Sequence, residues 1–341
     1  MGGMMGQRQI EKKQNKDKKM GFFKKLFGGK EPSDEERDQK RDANSFDTLK
    51  YNGLQALRIG KTGHAITYLT HALDIQEDEE AHTMLVNAYI RDNDLESAAE
   101  VAKELCELYP ENANHPLSLA QLLFQLEQYE EMESALHAAI KLAPDSYLPY
   151  HLLAEKHLST GALSEGESQV TKALELNGES YDSYLLRARI YRAEGKYAEA
   201  LSDLDHLTVT GHGNDDVLLL RGNLEEETGN SESALQTYQE VLSENPFNRE
   251  AYSKIAQLQV QFEQYEDAET TINDAIEQNG EYAQIIHVRQ RLKAALGDSE
   301  GALSDGKLAE KLEAEAEVAE HKEGNIEQEM KERYSSINPF Q

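Results

Sequence analysis

Alanine returns along this chain at near-constant intervals, at Ala65, Ala98, Ala200, Ala234 and Ala268, and Met132, Gly166 and Ala302 fall on the same beat. Across these eight positions the step is 33 residues once and 34 residues six times. A period of about 34 residues is the length of one helix-turn-helix unit. A unit of that size cannot bury its apolar face alone, so the chain folds only as a stack in which each helix pair shields its neighbours. The period therefore predicts an all-α architecture and directs the search for function toward surfaces.

The unit around Ala200 shows how the pattern works. A first amphipathic helix carries Tyr184, Leu185, Ala188 and Tyr191, a turn comes at Gly195, and a second helix carries Ala200, Leu201 and Leu204 before a break near Gly211. Helices whose axes approach to about 8 to 10 Å leave room only for small side chains at the crossing point. First helices supply Gly53, Ala120, Ala154, Ala188, Gly222 and Ala256 at corresponding places, and second helices supply Ala72, Ala139, Ala173, Ala275 and Ala309. The turns within units use Gly60, Gly161, Gly195, Gly229 and Gly297, with Asn93 in the second unit, where a helix must end on a positive φ. Pro110, Pro144, Gly178, Pro246 and Gly280 punctuate the unit ends.

Charge narrows the partners. The 341 residues hold 35 Lys and Arg against 64 Asp and Glu, a net charge of −29. Residues 1–30 contain nine bases and two acids, so a tail of +7 precedes a body of −36. A body this acidic repels phosphate backbones, which argues against nucleic acid as a partner, whereas the tail is drawn to anionic surfaces. The single cysteine, Cys106, has no partner within the chain and lies beside Leu105 and Leu108, which predicts a buried, unreactive thiol. Apolar runs fall far short of the roughly 18 to 20 residues of a membrane span, and the basic N-terminal segment lacks the apolar core of a secretory signal. These features predict a cytoplasmic address.

Small residue, aromatic, glycine turn, tyrosine, alanine and proline at these spacings resemble the tetratricopeptide repeat family, over about residues 46–312. The resemblance implies an α-solenoid, a right-handed superhelix of about eight antiparallel helix pairs whose first helices line a concave groove. It also implies a non-catalytic scaffold that holds a peptide or helix of a partner protein in that groove. Met132 and Gly166 depart from the family's alanine, which predicts looser helix pairs in the third and fourth units.

By analogy with the family, the second, fifth, sixth, ninth, twelfth and thirteenth places of each unit face the groove. The first four units present Tyr51, Leu54, Leu57, Met84, Asn87, Ile90, Leu117, Gln121, Phe124, His151, Leu152 and Leu158 there. Later units present Arg189, Arg192, Asn223, Glu226, Lys254, Gln257 and Arg291. Leucines and a phenylalanine on a surface that packing does not require form an apolar patch of the kind that marks a partner site. Arg189 and Arg192 beside it are suited to take a carboxylate through paired hydrogen bonds. The groove is expected to centre on the second to fifth units. Chaperone-binding members of the family clamp a terminal carboxylate with lysine, asparagine and arginine. Here Asn87 fills one clamp place, but Thr83, Ser118, Leu148 and Leu152 replace the rest, so the clamp is absent.

No chemistry competes with this reading. His151 and His157 are six residues apart and lie on different helix faces, and His64 and His71 have no cysteine or carboxylate set at metal spacing between them. No phosphate-cradling loop, nucleophile elbow or dinucleotide fingerprint occurs, so neither a metal, a cofactor nor an enzyme is expected.

Two ends frame the array. In residues 20–30, MGFFKKLFGGK, a helix would set Phe22, Phe23, Leu26 and Phe27 against Lys24 and Lys25. That element suits weak contact with an anionic membrane. The plainer expectation is a disordered tail that folds back onto the acidic body. Met20 is a second candidate initiator beside Met1. A mixed-charge linker over 31–45 is expected to be solvent-exposed, and residues 313–341 to form an acidic capping helix as far as Gly324 with a frayed end. The leading reading is a cytoplasmic interaction scaffold. The alternatives are a membrane-peripheral assembly factor or co-chaperone-like adaptor placed by residues 20–30 at the inner face of a membrane, and a regulatory subunit of an enzyme complex.

Overall fold

Every residue on the beat is buried: Ala65, Ala98, Met132, Ala200, Ala234 and Ala268 are wholly inaccessible, and Gly166 and Ala302 nearly so. A computed structural model places them, describing the backbone of residues 34–335 and side-chain environments over 45–318. The described residues form sixteen helices and no strand, in eight consecutive pairs. The pairs are α1 (Asp34–Arg58) and α2 (Thr62–Ile75), α3 (Glu79–Arg91) and α4 (Leu95–Leu108), α5 (Asn114–Gln125) and α6 (Tyr129–Leu142), and α7 (Leu148–Ser159) and α8 (Leu163–Leu176). They continue as α9 (Tyr181–Glu194) and α10 (Tyr197–Val209), α11 (Asp215–Glu227) and α12 (Ser231–Glu244), α13 (Arg249–Gln261) and α14 (Tyr265–Asn279), and α15 (Ala283–Ala295) and α16 (Ser299–Ser335). The fold class is the all-α solenoid of helical repeats that the period requires.

The chain divides into two compact units, Met1–Val101 and Ala102–Gln341. In the first, Ala56 and Leu57 of α1, Ala65 and Leu69 of α2, and Ala81, Leu85 and Ala88 of α3 form one core. Lys50 reaches Asp78 at 2.8 Å and Glu80 at 2.7 Å, and Arg91 donates to the Leu57 carbonyl at 2.9 Å. These links tie both ends of α3 to the second half of α1, so α3 lies beside that half and runs in the same direction.

In the second unit the cores repeat in nearest-neighbour fashion. Leu185 and Ala188 of α9 and Ala200, Leu204 and Leu207 of α10 close over Val217, Leu220 and Leu224 of α11. At the far end Tyr252, Ile272, Ile285 and Leu292 pack with Ala309, and Leu308 and Leu312 of α16 cover the last face. Each fully buried leucine or isoleucine contributes about 1.5 to 3 kcal/mol, so one helix pair holds only when its neighbour covers it.

Local chemistry starts and ends the helices as the pattern requires. Asp78, Ser180, Asn214 and Asn248 precede α3, α9, α11 and α13, and each side chain accepts the backbone N–H three residues on. Such a cap contributes about 1 kcal/mol. Within the pairs, the residue five before the beat takes a positive φ every time, from 72° at Gly60 to 81° at Gly297 among the glycines. Asn93, Glu127 and Glu263 hold the same conformation without being glycine.

Four expectations change. The stretch 34–45 is helical, continuous with α1, rather than a linker. Helix α16 runs through Gly324 to Ser335, since one glycine among alanine, glutamate and lysine costs only about 1 kcal/mol. Cys106 is half-buried rather than buried, and that burial pushes its thiol above the ordinary range. The third and fourth units are not loose: Met132 is fully buried, and a Cβ on Gly166 would lie 3.3 Å from Ile190. The segment 20–30, with Phe22, Phe23, Lys24, Lys25, Leu26 and Phe27, lies outside the described residues, as do 336–341. No described helix is long and apolar enough to cross a membrane.

Candidate functional site

The residues expected to face a groove divide by depth. In the first unit Asn87 is exposed, Leu54 is half-buried and Met84 rests against the core, while Leu57 is 7% exposed and belongs to that core. In the second unit Gln121 is exposed, Leu117 and Phe124 are half-buried, and the Phe124 ring lies 6.1 Å from that of Tyr129 at a tilt of 59°.

Three expected contacts are not free to bind. Leu152 is 7% exposed and is core. His151 is 9% exposed, because α9 packs over this part of α7. Its Nδ1 lies 3.1 Å from the Ser183 hydroxyl and its Nε2 lies 3.6 Å from Glu155, with Ser180 completing the chain at 2.9 Å from Ser183. A serine, a histidine and a carboxylate in line have the composition of a nucleophilic triad, but Ser183 is wholly buried, so no substrate reaches it. The arrangement ties α7 to the capped start of α9. Leu158 packs against Ala154, Val170, Leu186 and Ile190.

The cationic end differs between its two arginines. Arg189 is exposed and makes no ion pair or hydrogen bond among the described residues. Arg192 is occupied: its Nε and Nη2 both donate to Glu227 Oε1, at 2.9 and 2.5 Å, linking α9 to α11. Asn223 is occupied too, with its Oδ1 2.8 Å from the hydroxyl of Tyr238. That tyrosine lies on α12, and its ring passes over Gly222, where no side chain stands in the way. The hydroxyl also lies 2.9 Å from Glu226, which receives Lys254 at 2.6 Å. Burial first, and then Glu226, push the Tyr238 phenol far above its ordinary range, so it stays protonated and donates. The alanine beat did not reveal this network. The signal was a glycine on a first helix with a tyrosine sixteen residues on, the combination that lets a large ring cross.

Of the expected places on the first helices of the second unit, Leu117, Gln121, Phe124, Arg189, Gln257 and Arg291 stay at least partly open, alongside a neutralised set of Arg192, Glu227, Glu226 and Lys254. They offer half-covered apolar area, two free amides and two free guanidinium groups. A free guanidinium is chemically suited to pair with a carboxylate, and no group of three histidine, cysteine or carboxylate residues that would hold a metal occurs among the described residues.

Residues 83–147 and 227–296 each match a model of the tetratricopeptide repeat. Among solved structures the chain is similar to PilF of Pseudomonas aeruginosa, at 21% identity and a TM-score of 0.51 over 64% of this chain and 99% of that one. It is also similar to a tetratricopeptide repeat protein from Parabacteroides merdae, at 17% identity and a TM-score of 0.48 over 79% of this chain and 93% of that one. No match was found among curated proteins.

Proposed function

Because this chain is a tetratricopeptide repeat protein, and such repeats serve as protein-interaction scaffolds, we propose that its second unit holds a segment of a partner protein against its first helices. The partner's apolar side chains rest on Leu117 and Phe124, its backbone meets Gln121, and a carboxylate pairs with Arg189. The scaffold acts by binding and carries out no chemistry of its own.

One observation carries this reading. Arg189 is an exposed, unpaired cation in a body whose net charge is −36, while its neighbour Arg192 is neutralised within the fold. A guanidinium that the fold does not use, set in a repelling field for anions of low charge density, favours a partner that brings its carboxylate with apolar anchors.

Affinity purification with the wild-type chain and with Arg189→Glu tests it. The reversal leaves every internal hydrogen bond in place, so helicity is unchanged and the captured partner is lost. An identical set of captured proteins from both chains removes Arg189 and the carboxylate from the reading. Loss of capture from Leu117→Ser but not from Arg189→Glu leaves an apolar contact without charge recognition.

A further inference from the structure

Arg291 on α15 occupies the same place in the repeat as Arg189 on α9, three periods of 34 residues later, each standing eleven residues before the beat. Residues 102–318 contain seven arginines. Five are taken up within the fold: Arg187 by Asp203, Arg192 by Glu227, Arg221 by Asp205, Arg249 by the Asn279 carbonyl and Arg289 by Asp305. Arg189 and Arg291 are exposed and have neither an ion pair nor a hydrogen bond among the described residues. The same stretch holds 41 acids against 16 bases, a net charge of −25, and still none of its carboxylates takes either guanidinium.

The first helices between the two arginines follow one another by contact. Helix α9 meets α11 through Arg192 and Glu227, and α11 meets α13 through Glu226 and Lys254 at 2.6 Å. The Tyr282 hydroxyl, just before α15, donates to the Arg249 carbonyl of α13 at 3.0 Å. Neighbouring helix axes about 8 to 10 Å apart set the two guanidinium groups about 24 to 30 Å apart over three steps. An extended chain advances about 3.3 Å per residue, so about seven to nine residues cover that span. On the two helices between, the same place holds Asn223 and Gln257. Gln257 is exposed with its amide free, and Asn223 commits its Oδ1 to Tyr238. A helical ligand satisfies its own N–H and C=O groups, whereas an extended one brings them unpaired, so amides along this row suit an extended segment.

We propose that α9 to α15 form a two-point site for an extended acidic segment of a partner protein, with one carboxylate on Arg189 and a second, about seven to nine residues along the segment, on Arg291. This rests on the reading of Arg189 given above and adds a second point of charge and a fixed spacing. Each guanidinium takes its carboxylate through paired N–H donors. Once the first contact is made the second forms within one complex, at an effective concentration of about millimolar. The surrounding negative charge repels acidic chains in general, so the separation of two carboxylates, not their number, selects the ligand.

A phage library of random peptides long enough to span both arginines, panned on the full-length wild type and on Arg189→Ala, Arg291→Ala and the double variant, tests the proposal. Neither arginine has a partner in the fold, so all four chains give the same circular dichroism. The wild type enriches peptides with two Asp or Glu at one constant separation of about seven to nine residues, and each single variant enriches peptides with one fixed acid. In fluorescence anisotropy a peptide selected on the wild type loses about tenfold in affinity for either single variant. Moving its two acids next to each other costs a similar factor on the wild type and nothing on Arg291→Ala. Peptides with one fixed acid, bound equally by wild type and Arg291→Ala but lost on Arg189→Ala, overturn the two-point site and leave the reading of Arg189 intact. Peptides that the double variant enriches equally overturn both. Absence of any enrichment above the double variant overturns the two-point site, while the capture experiment with Arg189→Glu still decides the broader reading.

Discussion

Arg187 on α9 grips Asp203 on α10 through two parallel hydrogen bonds, Nε to Oδ2 at 2.8 Å and Nη2 to Oδ1 at 2.7 Å. The guanidinium lies 5.4 Å from the Tyr184 ring and 5.7 Å from the Tyr191 ring, and the carboxylate is 5% exposed. Sixteen residues separate the partners, and the same spacing recurs where Arg289 grips Asp305. Asp203 and Asp305 each stand three residues past the beat. In the two pairs between them that place holds Thr237, which donates to Glu225 at 2.7 Å, and Thr271, which donates to Gln259 at 2.8 Å. Four successive helix pairs therefore carry a polar link at this place, ionic at the two outer pairs and charge-to-hydroxyl or neutral at the inner two.

Removing one partner of such a link costs more than removing both. Asp203→Ala strands the Arg187 charge and lowers stability by about 3 kcal/mol, while Arg187→Leu with Asp203→Leu together is within about 1 kcal/mol of wild type. Urea unfolding of the three chains measures this. Equal losses in the single and double variants refute it.

The outer link also makes stability depend on pH. Burial alone would raise the Asp305 pKa, but hydrogen bonds from Arg289 and Lys293 outweigh it and hold the carboxyl below its ordinary 3.8. A depressed folded pKa gives stability that is fully present above the unfolded value and is lost as pH falls through the folded one. The difference in unfolding free energy between wild type and Asp305→Asn therefore shrinks below pH 3.8 and is constant at neutral pH. A difference that grows on acidification contradicts this assignment.

Gly222 is a packing requirement, not a flexible joint. A Cβ there would lie 2.4 Å from the Tyr238 ring, so Gly222→Ala destabilises by about 1 to 3 kcal/mol through overpacking. Tyr238→Leu in the same chain recovers part of the loss despite removing the hydroxyl network. Thermal denaturation of the single and double variants reads the sign.

Glu127 and Glu263 hold φ of 56° and 61° at the place where five other pairs use glycine. A residue with a Cβ is strained in this conformation by about 1 to 2 kcal/mol. Glu127→Gly and Glu263→Gly each raise stability by about 0.5 to 1 kcal/mol, part of the relief being offset by glycine's greater freedom when unfolded. An unchanged or lower melting temperature in both would show that no strain is held there.

Arg192 is blocked by Glu227 from serving a partner. Both side chains are about a third exposed, so Glu227→Gln changes stability by less than about 1 kcal/mol. It frees a second guanidinium beside Arg189 and strengthens capture of an acidic segment. Isothermal titration with the partner identified through the Arg189 experiment checks this, and weaker binding would count against a carboxylate as the ligand.

Reading residues by their spacing worked wherever one residue's identity was decided by its own helix. The beat, the crossing alanines and the turn glycines are of that kind, since a missing or minimal side chain is the only solution at a close approach or a positive φ. It also put Gln121, Asn87 and Arg189 on helix faces that are exposed. It failed for His151 and Leu152, whose burial depends on how closely α9 covers α7. It also missed that Glu227 occupies Arg192, because that contact joins two different helix pairs.

By itself the sequence determined that the chain is a stack of helix pairs, how many there are and where each turns, because those properties follow from a period and from steric limits within one unit. Only the tertiary structure decided which groove-facing places stay open, since a neighbouring helix pair, thirty or more residues away, supplies the atom that covers a leucine or the carboxylate that neutralises an arginine.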